Sequence, residues 1–319
     1  MAVQDHKIIE TPVIILLGPT AVGKTDLSLT MAELFDCEII SMDSMQVYRF
    51  MDIGTAKPSY EEQQRIPHHL IDIIYPTEQY NSALFVRDAL AAIKSISAAG
   101  KIPLLTGGTG LYLKALLEGL FTLDDTGDES IRTRLETRFR EEGREKLFAE
   151  LRSIDPESAA RIHVNDTQRL LRALEIYSAT GKTWSSLLRD QTDPEVKFTA
   201  ILHLGIACER RLLYDRIEKR AYAMVEEGLF AEAEKLQTMG YSPDLPAMQA
   251  IGYRHANNYL AGIWDREETV RLLIRDTRRY AKRQMTWFSR NPFIQWFSRY
   301  DRQAVLQQTE MWLACKRRQ

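Results

Sequence analysis

Residues 12–25 read PVIILLGPTAVGKT, and this stretch decides the fold. Its apolar first half predicts a short buried strand, and the amphipathic segment that follows it to Phe35 predicts a helix. Between them lies the pattern GxxxxGKS/T, which in this strand and helix context is a Walker A motif. The backbone amides of such a loop and the positive end of the helix surround a phosphate group. The stretch therefore predicts phosphate binding.

The loop itself consists of Gly18, Pro19, Thr20, Ala21, Val22, Gly23, Lys24 and Thr25. The ammonium of Lys24 adds positive charge, and the hydroxyl of Thr25 can complete the shell of a Mg²⁺ ion with phosphate oxygens and water. A glycine-containing turn without a ligand is the structural alternative, which the flanking strand and helix disfavour. The motif does not say which phosphate compound is held.

Two further apolar runs, residues 37–42 and 101–106, predict strands, and a segment from Asn81 or Ser82 to about Ala99 predicts a helix between them. Strands that alternate with helices indicate an α/β fold, with a parallel sheet as the core and helices flanking it. Ligands of such sheets gather at the carboxyl ends of the strands. The residues that follow these ends are Gly18, Asp43 and Thr109.

Residues 123–194 differ in character from the sequence around them. They are highly charged and poor in strand patterns, and Ile131, Leu135 and Phe139 recur at helical spacing. The strand-like run 196–207 then indicates that the chain rejoins the sheet. We therefore predict a core of residues 1–122 and 195–319, with C-terminal helices, and a helical insertion domain of residues 123–194.

Helices are predicted over residues 210–235 and 267–287, and the second is strongly basic. Within this helix and just after it, one stretch contains many cations and a single acid, Asp276. The cations are Arg271, Arg275, Arg278, Arg279, Lys282, Arg283 and Arg290. Such a run is typical either of a solvated helix face or of a surface that contacts phosphates. Aromatic residues interleave with the cations, which suits the unstacked bases of single-stranded RNA. Trp287 and Phe288 also fit a protein core.

Composition excludes several classes of protein. The chain has 319 residues and a net charge of −2, so bulk positive charge does not drive nucleic-acid binding. Its three cysteines form no CxxC pair, which indicates neither a disulfide framework nor a zinc site. No apolar run reaches the roughly 18 residues of a membrane helix, and residues 1–10 are too polar for a secretory signal. We therefore expect no membrane contact and a cytoplasmic location.

Nucleotide hydrolysis and phosphoryl transfer are the commonest uses of a Walker A loop. Here the strand over residues 101–106 runs into the segment TGGTG, without the carboxylate of an ordinary Walker B strand. The acid nearest to the loop is Asp43, which fits a general base, an outer contact to Mg²⁺ or a helix cap. A small-molecule kinase that consumes ATP and a non-catalytic RNA-binding module stay open as alternatives.

Eight segments follow one another in an order that is specific to one family: GPTAVGKT, DSMQVY, MDIGTAKP, PHHLID, GGTGLY, NDTQRLLRALE, IGYR and KRQMTWF. Through them nearly the whole chain resembles the bacterial tRNA dimethylallyltransferases, also called tRNA isopentenylpyrophosphate transferases. The resemblance implies a P-loop-type core with a helical insertion, dimethylallyl diphosphate as the donor, and Mg²⁺. It also implies that the chain modifies N6 of the adenine next to the anticodon, within the anticodon stem-loop of tRNA. We expect the chain to be a monomer.

The same resemblance gives roles to single residues. Asp43 resembles the general base of the family, and Thr109 resembles its neighbour in the reaction channel. The loop would hold the donor diphosphate, with Thr25 on Mg²⁺ and Arg220 as a further cation. The residues expected to meet tRNA are Asp43, Ser44, Met45, Gln46, Thr109, Arg132, Gln168, Arg169, Leu170, Leu171, Arg172, Gln249, Ala250, Ile251, Gly252, Tyr253, Arg254, Lys282, Arg283, Gln284, Met285, Thr286, Trp287, Phe288 and Ser289. Ser289 stands where many members have an arginine, and Arg290 follows it.

The implied reaction explains why these parts occur together. The exocyclic amine of adenine is a poor nucleophile, because its lone pair is delocalised into the ring. The reaction therefore depends on stabilising the departing diphosphate, which suits the loop amides, Lys24, Mg²⁺ and Arg220. Asp43 would take the N6 proton as the carbon–nitrogen bond forms. Since a stacked adenine cannot enter a closed pocket, it would be flipped out of its stack.

Overall fold

The computed structural model describes residues 7–119, 129–189 and 196–316. The chain divides into two compact units, of which the first comprises Met1–Leu117 with Val196–Gln319 and the second comprises Glu118–Glu195. The helical insertion predicted over residues 123–194 falls within the range of the second unit. Both predicted ends of that insertion lie outside the described residues.

The first unit is built on a parallel sheet. Its strands are β1 (Lys7–Ile9), β2 (Val13–Leu17), β3 (Cys37–Met42), β4 (His68–His69), β5 (Ile102–Gly107), β6 (Val196–Phe198), β7 (Ile201–Ala207) and β8 (Gln295–Ser298). Within the described residues, six strands form one sheet in the order β4-β3-β5-β2-β7-β8, and β1 pairs with β6 separately. Every neighbouring pair is parallel. The predicted α/β fold with a parallel sheet is confirmed.

Helices surround this sheet and make up the second unit. In chain order they are α1 (Lys24–Phe35), α2 (Tyr60–Arg65), α3 (Ser82–Ala98), α4 (Gly110–Glu118), α5 (Glu129–Glu142), α6 (Arg144–Ile154), α7 (Pro156–Arg161), α8 (Thr167–Thr180), α9 (Trp184–Arg189), α10 (Arg210–Glu226), α11 (Leu229–Thr238), α12 (Tyr253–Leu260), α13 (Arg266–Phe288) and α14 (Arg302–Lys316), with a short 3₁₀ turn at Ala247–Gln249. None of those in the described ranges has both the length and the apolar composition needed to cross a bilayer.

The central strand β2 is buried on both faces, as expected when helices cover both sides of a parallel sheet. Ile14 and Leu16 pack in a cluster with residues of α1, α10 and α14. Val13, Ile15 and Leu17 pack in a second cluster with residues of α3 and α4. Because the middle of the sheet is filled in this way, a ligand site has to lie at the ends of the strands.

One predicted strand is wrong in detail. The run 196–207 contains two strands, β6 and β7, with a break at Thr199 and Ala200. β6 pairs with β1 and β7 pairs with β2, so the break mirrors the one between β1 and β2. That earlier break contains Pro12, whose nitrogen cannot donate to a ladder. The change of partner strand is a tertiary event, which the apolar run does not reveal.

The helix predicted over residues 210–235 is also wrong in detail, because α10 ends at Glu226 and α11 begins at Leu229. Gly228 lies between them with φ 106°, in the left-handed region that glycine adopts without a steric penalty. α10 to α13 then pack around a cluster that includes Val47, Tyr48 and Met51. The break therefore lets two shorter helices enclose this cluster.

The second unit is helical, and α5 to α9 enclose a core of its own. Leu135 of α5 is buried in this core, as its helical spacing predicts. The carboxylate of Asp155 accepts hydrogen bonds from the amides of Ser158 in α7 and Ser185 in α9, both at 3.0 Å. One buried side chain thus caps α7 and joins it to α9.

Candidate active site

The predicted phosphate loop joins β2 to α1 and is braced by two cations. The ammonium of Lys24 donates hydrogen bonds to the carbonyl oxygens of Gly18 and Pro19, both at 2.9 Å. The guanidinium of Arg216, in α10, donates to the carbonyl of Ala21 at 2.7 Å. These bonds hold the backbone of the loop in a defined shape.

A cavity of about 360 Å³ borders the loop. Its lining includes Thr20, Lys24 and Thr25 of the loop, Asp43 after β3, and Arg220 of α10. The phosphate loop and the carboxylate therefore open into one cavity. A transfer between a donor at the loop and an acceptor at Asp43 requires this arrangement.

Two cations of the cavity carry depressed pKa values. Burial, followed by the positive charge of Arg220, lowers the pKa of Lys24 to about 8, and the carboxylate of Asp43 opposes this shift. Burial is also the main cause that lowers the pKa of Arg220, and Asp43 again opposes it. Both shifts show positive charge held out of water with too little negative charge to balance it. An anionic ligand would supply that balance.

The carboxylate of Asp43 lies in the turn that follows β3. Its Oδ1 accepts hydrogen bonds from the amides of Met45, at 2.8 Å, and Gln46, at 3.4 Å. Its Oδ2 accepts none from the residues that the structure describes. The helix-cap interpretation of Asp43 is wrong, because the next helix along residues 7–119 begins at Tyr60. One oxygen therefore holds the side chain in place and the other is left for a ligand.

Thr109 comes next to Asp43 because β3 and β5 are neighbours, with Met42 opposite Gly107. The amide of Thr109 donates to the carbonyl of Met42 at 3.3 Å. Its hydroxyl accepts a hydrogen bond from the amide of Ser44 at 3.2 Å. The two residues predicted as catalytic are thus brought together by sheet register, as their positions after strand ends suggest.

Gln284 of α13 connects the loop with the end of β5. Its side-chain oxygen accepts a hydrogen bond from the amide of Thr20 at 2.8 Å, and its nitrogen donates to the carbonyl of Gly108 at 3.0 Å. A Cβ atom on Gly108 would lie 2.0 Å from that nitrogen, so only glycine allows the contact. The resemblance gives Gln284 to the tRNA contacts, yet its carboxamide is buried and occupied by the protein itself.

Tyr280 and Arg216 also line the cavity, and neither is among the site residues predicted from the sequence. Burial, followed by the charge of Asp43, raises the pKa of the Tyr280 hydroxyl, which has Thr109 and Gln284 as polar neighbours. Tyr280 occurs within the basic, aromatic segment, so its signal is hidden among residues of similar type. Arg216 occupies the same helix as Arg220, one turn earlier, and that spacing is the signal that identifies it.

Comparison with known proteins identifies the family. A family model described as IPP transferase matches residues 46–291. The tRNA dimethylallyltransferase of Desulfotalea psychrophila is 50% identical over 305 residues, which is 96% of either chain. This chain belongs to the tRNA dimethylallyltransferase family. The resemblance read from the eight segments is confirmed, and membership of the family makes the chain a transferase.

Solved structures of tRNA dimethylallyltransferases agree with this assignment. The tRNA isopentenylpyrophosphate transferase of Bacillus halodurans matches with a TM-score of 0.70 at 40% identity, over 97% of this chain and 99% of that one. Crystallographic snapshots of a eukaryotic dimethylallyltransferase acting on tRNA give a TM-score of 0.76 at 30% identity, over 91% of this chain and 74% of that one. The fold is therefore that of the family.

The tRNA contacts suggested by likeness to the dimethylallyltransferases differ in accessibility. In the second unit, Gln168, Arg169 and Arg172 are exposed on α8, whereas Leu170 and Leu171 are buried in the core. Arg132 of α5 forms ion pairs with Glu136 and Glu175. Of the expected contacts on α8, the polar side chains are therefore the ones exposed to a partner.

A similar division holds in the first unit of this chain. Gln249 is exposed, Ala250 and Ile251 are half-buried, and Gly252 and Tyr253 are buried. Arg254 forms an ion pair with Asp276 at 3.0 Å. On α13 and directly after it, the exposed residues are Lys282, Arg283, Thr286, Trp287 and Ser289, while Met285 is half-buried. The core interpretation is right for Phe288, which is 1% exposed.

Proposed function

We propose that this chain transfers a dimethylallyl group from dimethylallyl diphosphate to N6 of the adenine next to the anticodon in tRNA, releasing diphosphate. The observation that carries the proposal is the single cavity lined by the phosphate loop, Arg220 and Asp43. The relatives are named for tRNA and for the dimethylallyl group, which supports both substrates. A tRNA substrate also implies the cytoplasm as the compartment, and we propose that the enzyme acts as a monomer.

The donor diphosphate would lie at the loop, where amides, Lys24 and the positive end of α1 meet it. Arg220 contacts the Thr20 hydroxyl at 3.4 Å, so its guanidinium lies beside the same loop. The depressed pKa values of Lys24 and Arg220 support this role, because cations without a counter-ion gain most from a diphosphate. These charges act on the leaving group, where negative charge develops during transfer.

Magnesium fits the proposed donor site as part of the diphosphate complex. Within the described residues, no group of three or more His, Cys, Asp or Glu could hold a metal ion alone. The residue Thr25 is exposed at the cavity, and its hydroxyl forms no hydrogen bond with the part of the chain that is described. One hydroxyl suits an ion held mainly by phosphate oxygens and water. Bound there, Mg²⁺ would neutralise charge on the departing diphosphate.

Asp43 would act as the general base. Its Oδ1 is held by the amides of Met45 and Gln46, which leaves Oδ2 to accept the N6 proton. Thr109 would contribute to the acceptor channel beside it. Because a stacked adenine cannot enter a closed pocket, the adenine would enter the cavity as a flipped base, at a cost of a few kcal/mol for unstacking. The exposed polar side chains of α8, with Lys282 and Arg283 of α13, would hold tRNA phosphates and offset that cost.

Mass spectrometry of an unmodified tRNA transcript after incubation with dimethylallyl diphosphate and Mg²⁺ tests the proposal. We expect a mass increase of one dimethylallyl group in exchange for one proton, on the adenosine beside the anticodon. Lys24→Ala should weaken donor binding and slow turnover together. A chain that instead converts ATP to ADP and leaves the RNA unchanged is a kinase, and the proposal then fails.

A further inference from the structure

A groove of about 640 Å³ runs between α10 and α13. We call it the basic groove, because its lining includes six cations: Arg210, Arg271, Arg275, Arg278, Arg279 and Lys282. Only Lys282 of these is among the tRNA contacts suggested by the family resemblance. The other five cations are on α10 and α13, and none of them is among the expected tRNA contacts.

The basic groove carries an excess of positive charge. Its lining contains two carboxylates, Glu218 and Glu267, against the six cations. Asp276, just outside the lining, is shared by Arg254, Arg275 and Arg279. Within the described residues, Arg210 and Lys282 have no acidic partner at all. Arg271 pairs with Glu268 and Arg278 pairs with Glu218, yet the cations still outnumber the carboxylates, which favours an anionic partner.

Aromatic side chains accompany the cations. The ring of Tyr214 has the Arg210 guanidinium 5.2 Å from its centroid and the Arg278 guanidinium 5.1 Å from it. Tyr222, one further lining residue, is 48% exposed. The Nε of Arg278 is buried and has no hydrogen-bond partner in the structure. Guanidinium groups and the exposed ring of Tyr222 together suit nucleic acid, whose phosphates and bases can both be engaged.

Lys282 connects the basic groove with the expected tRNA contacts, because it lines the groove and is one of those contacts. Tyr280, which lines the cavity, is two residues before Lys282 and so lies on nearly the opposite face of α13. The guanidinium of Arg283 is 5.7 Å from the centroid of the Tyr280 ring. At about 1.5 Å of rise per residue, Arg271 is about 16 Å from Lys282 along the helix axis. An RNA that contacts Lys282 can therefore extend along the groove with a neighbouring stretch of backbone.

We propose that the basic groove, between α10 and α13, binds backbone phosphates of the RNA substrate. The groove supplies affinity and orientation and takes no part in the chemistry. This inference rests on the proposed function only in that the substrate is an RNA. Phosphate contacts position a nucleic acid without reading its sequence, so the groove should serve different tRNAs alike.

The test is the salt dependence of tRNA binding, measured by fluorescence anisotropy without donor. The double variant Arg210→Ala with Arg275→Ala removes two exposed cations and leaves Asp276 paired with Arg254 and Arg279. We expect the Kd for an unmodified tRNA transcript to rise about fivefold to tenfold, as for two exposed ion pairs. The slope of log K against log salt should fall by about 0.7 to 0.9 for each phosphate that the variant no longer neutralises. The kcat at saturating tRNA should not change.

A matched control and a second variant keep the outcome clear. Lys94→Ala with Lys235→Ala removes two exposed cations from α3 and α11, outside the groove, and should leave both Kd and slope as in the wild type. Arg271→Ala with Arg279→Ala repeats the test on other groove residues. Wild-type tRNA binding and slope in both groove variants would overturn the proposal.

Two further outcomes are decisive. If an acidic peptide binds the wild type but not the groove variants, while tRNA binding is unchanged, the partner is a protein and the proposal fails. Because binding is measured without donor, a failure to transfer the dimethylallyl group would contradict the proposed function and leave this readout intact. The two proposals can therefore fail separately.

Discussion

The side-chain oxygen of Gln284 accepts a hydrogen bond from the backbone amide of Thr20 at 2.8 Å, across 264 residues of sequence. The same carboxamide donates to Gly108, so α13 is fastened both to the phosphate loop and to the end of β5. This bond uses the Thr20 amide and fixes the backbone of the loop that we propose for the donor diphosphate. We therefore propose that Gln284 positions the loop for the donor.

Gln284→Leu removes both hydrogen bonds while keeping a side chain of similar size. We expect the KM for the donor to rise about tenfold and the stability of the chain to fall by about 1–3 kcal/mol, because a buried amide and a buried carbonyl lose their partner. tRNA affinity without donor should stay at the wild-type level, and steady-state kinetics with thermal unfolding check this. Gln307→Leu, at an exposed site on α14, is the control. A selective loss of tRNA binding would show that Gln284 contacts RNA.

Asp43→Asn keeps an oxygen that can accept from Met45 and Gln46 but removes the basic carboxylate. Single-turnover transfer should slow by about 10²–10⁴, the usual contribution of a positioned base. Donor and tRNA affinities should stay within a few fold, since the proton is taken in the transition state. Transfer at the wild-type rate would remove Asp43 from the chemistry, and a matching loss of tRNA affinity would make it a binding residue.

The affinity for inorganic diphosphate should depend on pH through Lys24. Its pKa is about 8 in the free protein, and a bound anion stabilises the ammonium and raises that pKa. A group whose pKa rises on binding contributes fully below its free-state pKa, so the contribution of Lys24 should be complete below about pH 8 and be lost progressively above it. Calorimetric titration between about pH 7 and about pH 10 measures this. Lys24→Arg should flatten the profile, and a wild-type profile without a decline above pH 8 would contradict the assignment.

Asp155→Ala should destabilise the second unit. Burial opposes ionisation of this carboxyl, but hydrogen bonds from Ser158 and Ser185 outweigh it and lower the pKa. The loss at neutral pH should be about 2 kcal/mol, the size of a strong helix cap with a further bond. Because the folded-state pKa is depressed, the contribution of Asp155 is present above about pH 4 and disappears as the pH falls through the folded value.

Hydrogen exchange over residues 144–189 localises the effect of Asp155→Ala. Asp166→Ala removes the less buried cap of α8. The amides of residues 144–189 should exchange more slowly in this variant than in Asp155→Ala. Equal exchange in the two variants would show that the link between α7 and α9 adds nothing to the cap.

Much of the fold follows from local patterns. The bounds of β3 agree with the predicted residues 37–42, because an apolar run that is buried on both faces has no other place in an α/β fold. Asn81 caps α3 as its position predicts. The strand break at Thr199 and the helix break at Gly228 were missed, since they depend on which segments pair or pack across the fold.

The residues of the candidate site likewise fall into those that a local motif predicts and those that only the fold identifies. The loop and Asp43 carry their signals in short motifs, and sheet register brings Thr109 to them. The contact between Gln284 and Thr20 joins distant parts of the chain, and no local pattern marks it. Tyr280 and Arg216 are common residue types on helices, so only their placement at the cavity identifies them.

The ammonium of Lys24 donates hydrogen bonds to the carbonyl oxygens of Gly18 and Pro19, so it is tied to the backbone of its own loop. A diphosphate bound at this loop, as we propose, would compete with these two carbonyl oxygens for the ammonium. We therefore expect the loop to favour strongly charged anions, because a weakly charged compound gains little from that competition.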